Sequence, residues 1–132
     1  MHFVITVPFV KGKARPRMSR GHVYTPSSTT QAEREIAAEW RRVAGHAKAG
    51  AGKPVRVDIT CERPLPKSRP KSLLWEHDTF KPDADNVAKL VLDALNGVAW
   101  QDDAQVTSLH VRKAIRKRDV GESMTVRVEW EA

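Results

Sequence analysis

Residues 81–97 read "KPDADNVAKLVLDALNG", and residues 100–106 read "WQDDAQV". Val87, Leu90, Val91, Ala94 and Leu95 recur at i, i+3, i+4, i+7 and i+8, which is one face of an amphipathic helix. Pro82 disfavours helix at Lys81, so the chain is expected to be extended up to a cap at Asp85 or Asn86. Gly97 supplies the C-terminal stop. The polar face of this helix is acidic. Between Pro82 and Gln105 stand Asp83, Asp85, Asp93, Asp102 and Asp103 against one base, Lys89, a local charge of −4 in a chain whose net charge is +7.

Working outward, the helix is flanked by strand patterns. Val55, Val57, Ile59 and Cys61 alternate with polar residues, as do Met124, Val126, Val128 and Trp130 near the end of the sequence and Phe3, Ile5 and Val7 at its start. Leu109, Val111 and Ile115 suggest a further strand, with an irregularity between Val106 and Leu109. An earlier helix is expected from Ser28 or Thr30, both with capping-box spacing, and carries Ala32, Ile36, Trp40, Val43 and Ala47 on its apolar face. Residues 63–80 hold three prolines and no clear period, so a long loop is expected, with a helical turn over Ser72 to Glu76. Residues 9–26 read as a basic loop or loose hairpin. The order β, basic loop, α, β, long loop, α, β, β predicts a single α+β domain over residues 1–132, with a mixed or antiparallel sheet packed by two main helices.

Composition agrees. The chain has 132 residues, 40% hydrophobic and 30% charged, as a globular domain does. No uncharged apolar run approaches the roughly 18 residues needed to span a bilayer, so no membrane association is expected. The N-terminus begins in strand-like alternation without a basic leader, which predicts no signal peptide and, with Cys61 the single cysteine, a cytoplasmic location. Cys61 is expected to be a buried small hydrophobe. His2, His22, His46, His77 and His110 show no zinc spacing. Ordinary core packing is expected of Trp40, Trp75, Trp100 and Trp130, with a subunit interface as the other reading.

Outside the acidic stretch the chain carries +11, which points to a polyanion gripped by the body and worked on at the carboxylates. Lys11, Lys13, Arg15, Arg17 and Arg20 are the first candidates for backbone-phosphate contacts, and Lys67, Arg69 and Lys71 the second. In extended chain Asp83 and Asp85 would face one side. If the chain turns back at Gly97, Asp102 or Asp103 would join them. Such oxygen donors suit Mg²⁺, which can polarise a phosphodiester and activate water. Lys89 could then offset charge in the transition state. A purely structural reading stands beside this one: Asp85 as a cap, Lys89 paired with Asp85 and Asp93 along the helix, Asp102 and Asp103 as turn residues. An EF-hand is excluded, because Val87 occupies a ligand position and the required glycine is absent.

The pattern D-x-D-N-x-x-K, then D-A-L, then D-D-x-Q-V resembles the signature of the RusA-type Holliday junction resolvases of bacteria and their phages. "KGKARPRMSRGHVYTP" and "RPLPKS" resemble the upstream segments of that family. The resemblance implies a homodimeric endodeoxyribonuclease of DNA recombination and repair that needs Mg²⁺ (Mn²⁺ as the alternative). It implies paired, symmetric cuts in four-way DNA junctions. By this resemblance the metal-binding, catalytic carboxylates are Asp83, Asp85 and Asp103, the catalytic lysine is Lys89, and Asp93, Asp102 and Asn86 are supporting. The alternatives are a broader structure-specific nuclease for flaps or forks, and a non-catalytic junction-binding protein.

Overall fold

In the computed structural model, which describes residues 1–24 and 26–132 and omits the side chains of Arg17 and Tyr24, the chain runs β1 (His2–Val7), β2 (Arg17–Ser19), β3 (His22–Tyr24), α1 (Ser27–Ala44), β4 (Val55–Glu62), β5 (Trp75–Glu76), α2 (Ala84–Leu95), a 3-10 turn (Asp103–Gln105), β6 (Val106–Lys113), β7 (Arg116–Lys117) and β8 (Ser123–Trp130). The main sheet has the order β1-β8-β4-β6. Strands β1/β8 and β8/β4 pair antiparallel, whereas β4/β6 pair parallel. A parallel neighbour cannot be reached by a hairpin, so the chain between β4 and β6 must cross over, and it does so through α2. The fold is α+β with a mixed sheet, as the element order predicts.

The alternating residues build one core. Ile5 and Val7, Val55 to Cys61 at every second position, and Met124, Val126 and Val128 are buried from the sheet, against Ala32, Ile36 and Trp40 of α1 and Val87, Leu90, Val91 and Leu95 of α2. Trp40, Trp100 and Trp130 lie in this core, while Trp75 is exposed. Cys61 is buried, and that burial pushes its thiol up to about 11. The irregularity expected before Leu109 is a register shift, with Val55 opposite Val106 and Arg56 opposite Ser108. Among the described residues no helix is long and apolar enough to cross a membrane.

Several local expectations are corrected. Helix α1 starts one turn earlier, after Pro26, with no side-chain cap. The capping boxes fail because Ser28 and Thr30 already lie inside the helix, where Thr30 Oγ1 donates back to the Pro26 carbonyl at 3.5 Å. Val43 is exposed, and Ala47 lies past the end of α1, where its carbonyl accepts from Trp40 Nε1. Ile115 falls outside β6. In place of a helical turn over Ser72 to Glu76, Trp75 and Glu76 form β5 and pair with Lys117 and Arg116 of β7. The basic segment does contain a hairpin, in which Arg20 (φ 51°) and Gly21 (φ 78°) link β2 to β3. Two successive left-handed residues are what a two-residue turn of matching twist requires, and glycine adopts that conformation without strain.

Candidate active site

The crossover geometry puts the entrance of α2 after the long loop, at the end of the sheet where β6 finishes. Lys113, the last residue of β6, donates to the Phe80 carbonyl. Lys81–Pro82 is a cis peptide, and Asp83 follows in extended conformation (φ −70°, ψ 150°) as the N-cap residue of α2. The cap is therefore two residues earlier than Asp85. Asp85 already lies in the first helical turn, so strand alternation does not aim it with Asp83. Neither side chain is consumed by the helix: Asp83 makes no side-chain cap bond. Their side chains are 50% and 70% exposed, and each has one exposed lysine nearby, Lys81 Nζ at 3.1 Å from Asp83 and Lys89 Nζ at 3.9 Å from Asp85. Both stand at the positive end of the α2 dipole.

The remaining acidic residues are held differently. Asp93 does not extend the Asp85–Lys89 stripe into an ion-pair ladder. Its Oδ2 lies 2.7 Å from Lys13 Nζ, which also reaches Glu33 at 2.9 Å. Burial opposes the charge on Lys13, but the bonds to Asp93 and Glu33 outweigh it and hold the amine above its ordinary value. Asp103 accepts from Trp100 Nε1 at 2.8 Å. Its carboxyl is raised, first by burial, against the Trp100 bond, and further by the charges of Asp93 and Asp102. Asp93 lies about 12 Å along the helix from Asp85. Within one chain Asp103 thus answers to Asp93, and among the described residues no three His, Cys, Asp or Glu side chains are arranged to hold a metal ion.

Asp102 and Gln105 close the 3-10 turn as a reciprocal cap, and Gln105 Nε2 also donates to the carbonyls of Gly50 and Lys53 at 2.8 and 3.0 Å. Asn86 contributes its carbonyl, which accepts the Lys13 N–H at 2.8 Å.

Of the basic candidates, Lys11 sits over the Phe9 ring at 5.0 Å, and Arg15 and Arg20 are exposed on or beside the hairpin. The Arg17 side chain lies outside the described residues. Lys67 and Lys71 are exposed, whereas Arg69 is bonded to Glu76 at 2.7 Å.

Sequence reasoning missed the groups that hold the long loop under the site. Asp78 is buried and accepts a two-pronged bond from Arg63 at 2.9 and 2.6 Å, with Lys113 at 3.8 Å. Burial pushes the Asp78 carboxyl up, but Arg63, then Lys113 and the Phe80 N–H, bring it below its ordinary value. Phe80, exposed next to the acidic stretch, lies beneath two guanidiniums, Arg116 at 4.6 Å and Arg69 at 5.6 Å. No periodicity marks these residues, because each pairs across a long stretch of sequence. A buried-looking Arg63 leaving a clean strand was the one available hint.

Comparison with known proteins follows the same residues. A Bacillus subtilis (strain 168) protein described as "Uncharacterized protein YqaN" is 43% identical over 70 residues, 46% of this chain and 48% of that protein, so the chain spans about half the length of this curated relative. The family model described as "Endodeoxyribonuclease RusA" matches residues 7–129, which include the basic segment, the long loop, the acidic stretch and all four strands of the main sheet in whole or in part. The chain belongs to the RusA endodeoxyribonuclease family.

Proposed function

We propose that this protein is a Mg²⁺-dependent endonuclease that resolves four-way DNA junctions by paired, symmetric phosphodiester hydrolysis in recombination and repair. Family membership across residues 7–129 carries the proposal. The exposed carboxylates at the entrance of α2 support it, since the fold leaves them open to solvent.

The donor set suits the ion. Asp83 and Asp85 offer hard carboxylate oxygens open to water, and Mg²⁺ binds through one or a few carboxylates while keeping waters and substrate phosphate oxygens. The family resemblance assigns Asp103 as the third carboxylate, although within one chain it stands with Asp93 and Asp102, and among the described residues no three acidic groups are arranged to hold a metal ion. When bound, the ion would supply Lewis-acid polarisation of the phosphodiester and a readily deprotonated water. The chain's own residues do the rest. Lys89 offsets negative charge building on the phosphoryl oxygens, and Trp100 holds Asp103 by one oxygen, leaving the other free to act. The exposed bases Lys11, Arg15 and Arg20, with Lys67 and Lys71, neutralise backbone phosphates.

The proposal includes a homodimer. A four-way junction has approximate two-fold symmetry, and an isologous dimer presents two equivalent sites to opposed strands. Of the tryptophans, Trp75 remains exposed for such a contact.

The test is a substrate panel under Mg²⁺: a synthetic four-way junction, a flap, a fork and plain duplex. Symmetric paired nicks near the crossover of the junction, with little cutting of the others, are expected. Equal cutting of flaps and forks would replace the junction-specific reading with a broader nuclease. Tight junction binding without product would replace it with a binding protein.

A further inference from the structure

We infer that Gly12 and Lys13 form a clamp that fixes the entrance of α2, and with it Asp83 and Asp85, against the basic segment. Lys13 is then a positioning residue for the reaction and not a phosphate contact. Its effect on turnover rests on the nuclease reading above, whereas the clamp itself does not.

Three consecutive residues make the clamp. Gly12 lies against the turn that carries Asp83: a Cβ placed on it would stand 2.9 Å from Pro82 Cβ and 3.0 Å from Asn86 Cβ. Any side chain here would push the turn away, which gives this glycine a steric reason. Lys13 donates its N–H to the Asn86 carbonyl at 2.8 Å, next to Asp85. Its Nζ then reaches Asp93 at 2.7 Å, two turns further along α2, and Glu33 on α1 at 2.9 Å. Ala14 donates its N–H to Thr29 Oγ1 at 3.3 Å, and Thr29 is buried on α1. The strap is thereby tied to both helices over residues 12–14, immediately before the hairpin that carries Arg20.

Two consequences follow. The bases beyond the clamp and the carboxylates beside it are held in one fixed relation, so DNA lying along the first is presented to the second. The charge of Lys13 is already spent on two carboxylates, whereas among the described residues Lys11 and Arg15 have no such pair. Removing Lys13 should therefore misplace the site without removing a phosphate contact.

The test uses the full chain with Lys13→Met, Lys13→Arg and Gly12→Ala, and Lys11→Met for comparison. Hydrogen exchange followed by mass spectrometry is read over residues 9–24 and 82–90. Exchange is expected to speed up about tenfold in both segments for Lys13→Met and Gly12→Ala, with β4 and β8 unchanged. Junction binding measured without metal is expected to keep the wild-type salt slope in Lys13→Met, but to lose about 0.9 in Lys11→Met. Single-turnover cleavage at saturating protein is expected to fall between about tenfold and about a hundredfold in Lys13→Met, with much of it restored in Lys13→Arg, whose guanidinium can reach both acids. Should Lys13→Met fail to fold, Gly12→Ala and Lys13→Arg carry the comparison. Unchanged exchange in both segments would overturn the clamp. A slope lowered by about 0.9 in Lys13→Met would assign Lys13 to phosphate and also overturn it. If the wild type neither binds nor cuts a junction, the nuclease reading fails, and the exchange result alone decides the clamp.

Discussion

Two sets of aspartates stand a few residues apart and are treated in opposite ways. Asp78, at the end of the long loop, has a side chain 1% exposed, bonded twice by Arg63 and approached by Lys113. Asp83 and Asp85, at the entrance of α2, are half or more exposed and, among the described residues, pair with the exposed lysines Lys81 and Lys89. The first carboxylate is committed to holding the loop. The other two are held in place by the helix start and kept open to solvent. A buried anion without partners would be costly, so Asp78 is compensated inside the fold. The exposed pair needs no internal compensation and can accept a cation from outside.

The comparison breaks most sharply on substitution. Asp83→Asn or Asp85→Asn is expected to lower single-turnover junction cleavage by about a thousandfold, a loss of about 4 kcal/mol of transition-state stabilisation. Stability in urea should stay within about 0.5 kcal/mol, because both side chains are exposed and pair with exposed lysines. Asp78→Asn should do the reverse. Leaving Arg63 and Lys113 without their buried anion is expected to cost about 3 kcal/mol, read as a lower urea midpoint at unchanged slope. Cleavage by the folded fraction should persist at low temperature.

Acid sharpens the same contrast with a smaller effect. The Asp78 carboxyl is held below its ordinary value by Arg63 and Lys113. An acid depressed in the folded state contributes stability that is present above its unfolded pKa of about 3.9 and lost as the pH falls through the folded value. Unfolding free energy should therefore drop below about pH 4 in the wild type, and less steeply in Asp78→Asn. The smallest effect belongs to the surface pair. Lys81→Gln removes a partner 3.1 Å from Asp83, yet should change stability by less than about 0.5 kcal/mol, since both groups are exposed and screened.

What the sequence disclosed follows from the same distinction between local and distant pairing. The α2 period, the alternation of β4 and β8 and the irregularity before Leu109 are written in neighbouring residues, and all are present in the fold. The capping boxes of α1 were equally local signals, but the helix has already begun at Ser27, and the Thr30 hydroxyl bonds back to the Pro26 carbonyl. Strand β5 is two residues long and exists through its pairing with β7, which no window of sequence around Trp75 contains. The site divides in the same way. The acidic positions and Lys89 stand out by type and spacing. That Lys13 joins Asp93 to Glu33, that Asp103 meets Trp100 and that Asp78 anchors the loop depends on tertiary approach.

The most direct measurement is single-turnover cleavage of a synthetic four-way junction by the wild-type protein, with Mg²⁺ and with EDTA, resolved strand by strand. The account predicts symmetric nicks on opposed strands with Mg²⁺ and none with EDTA. No Mg²⁺-dependent product at any protein concentration, or equal cutting in EDTA, would contradict it.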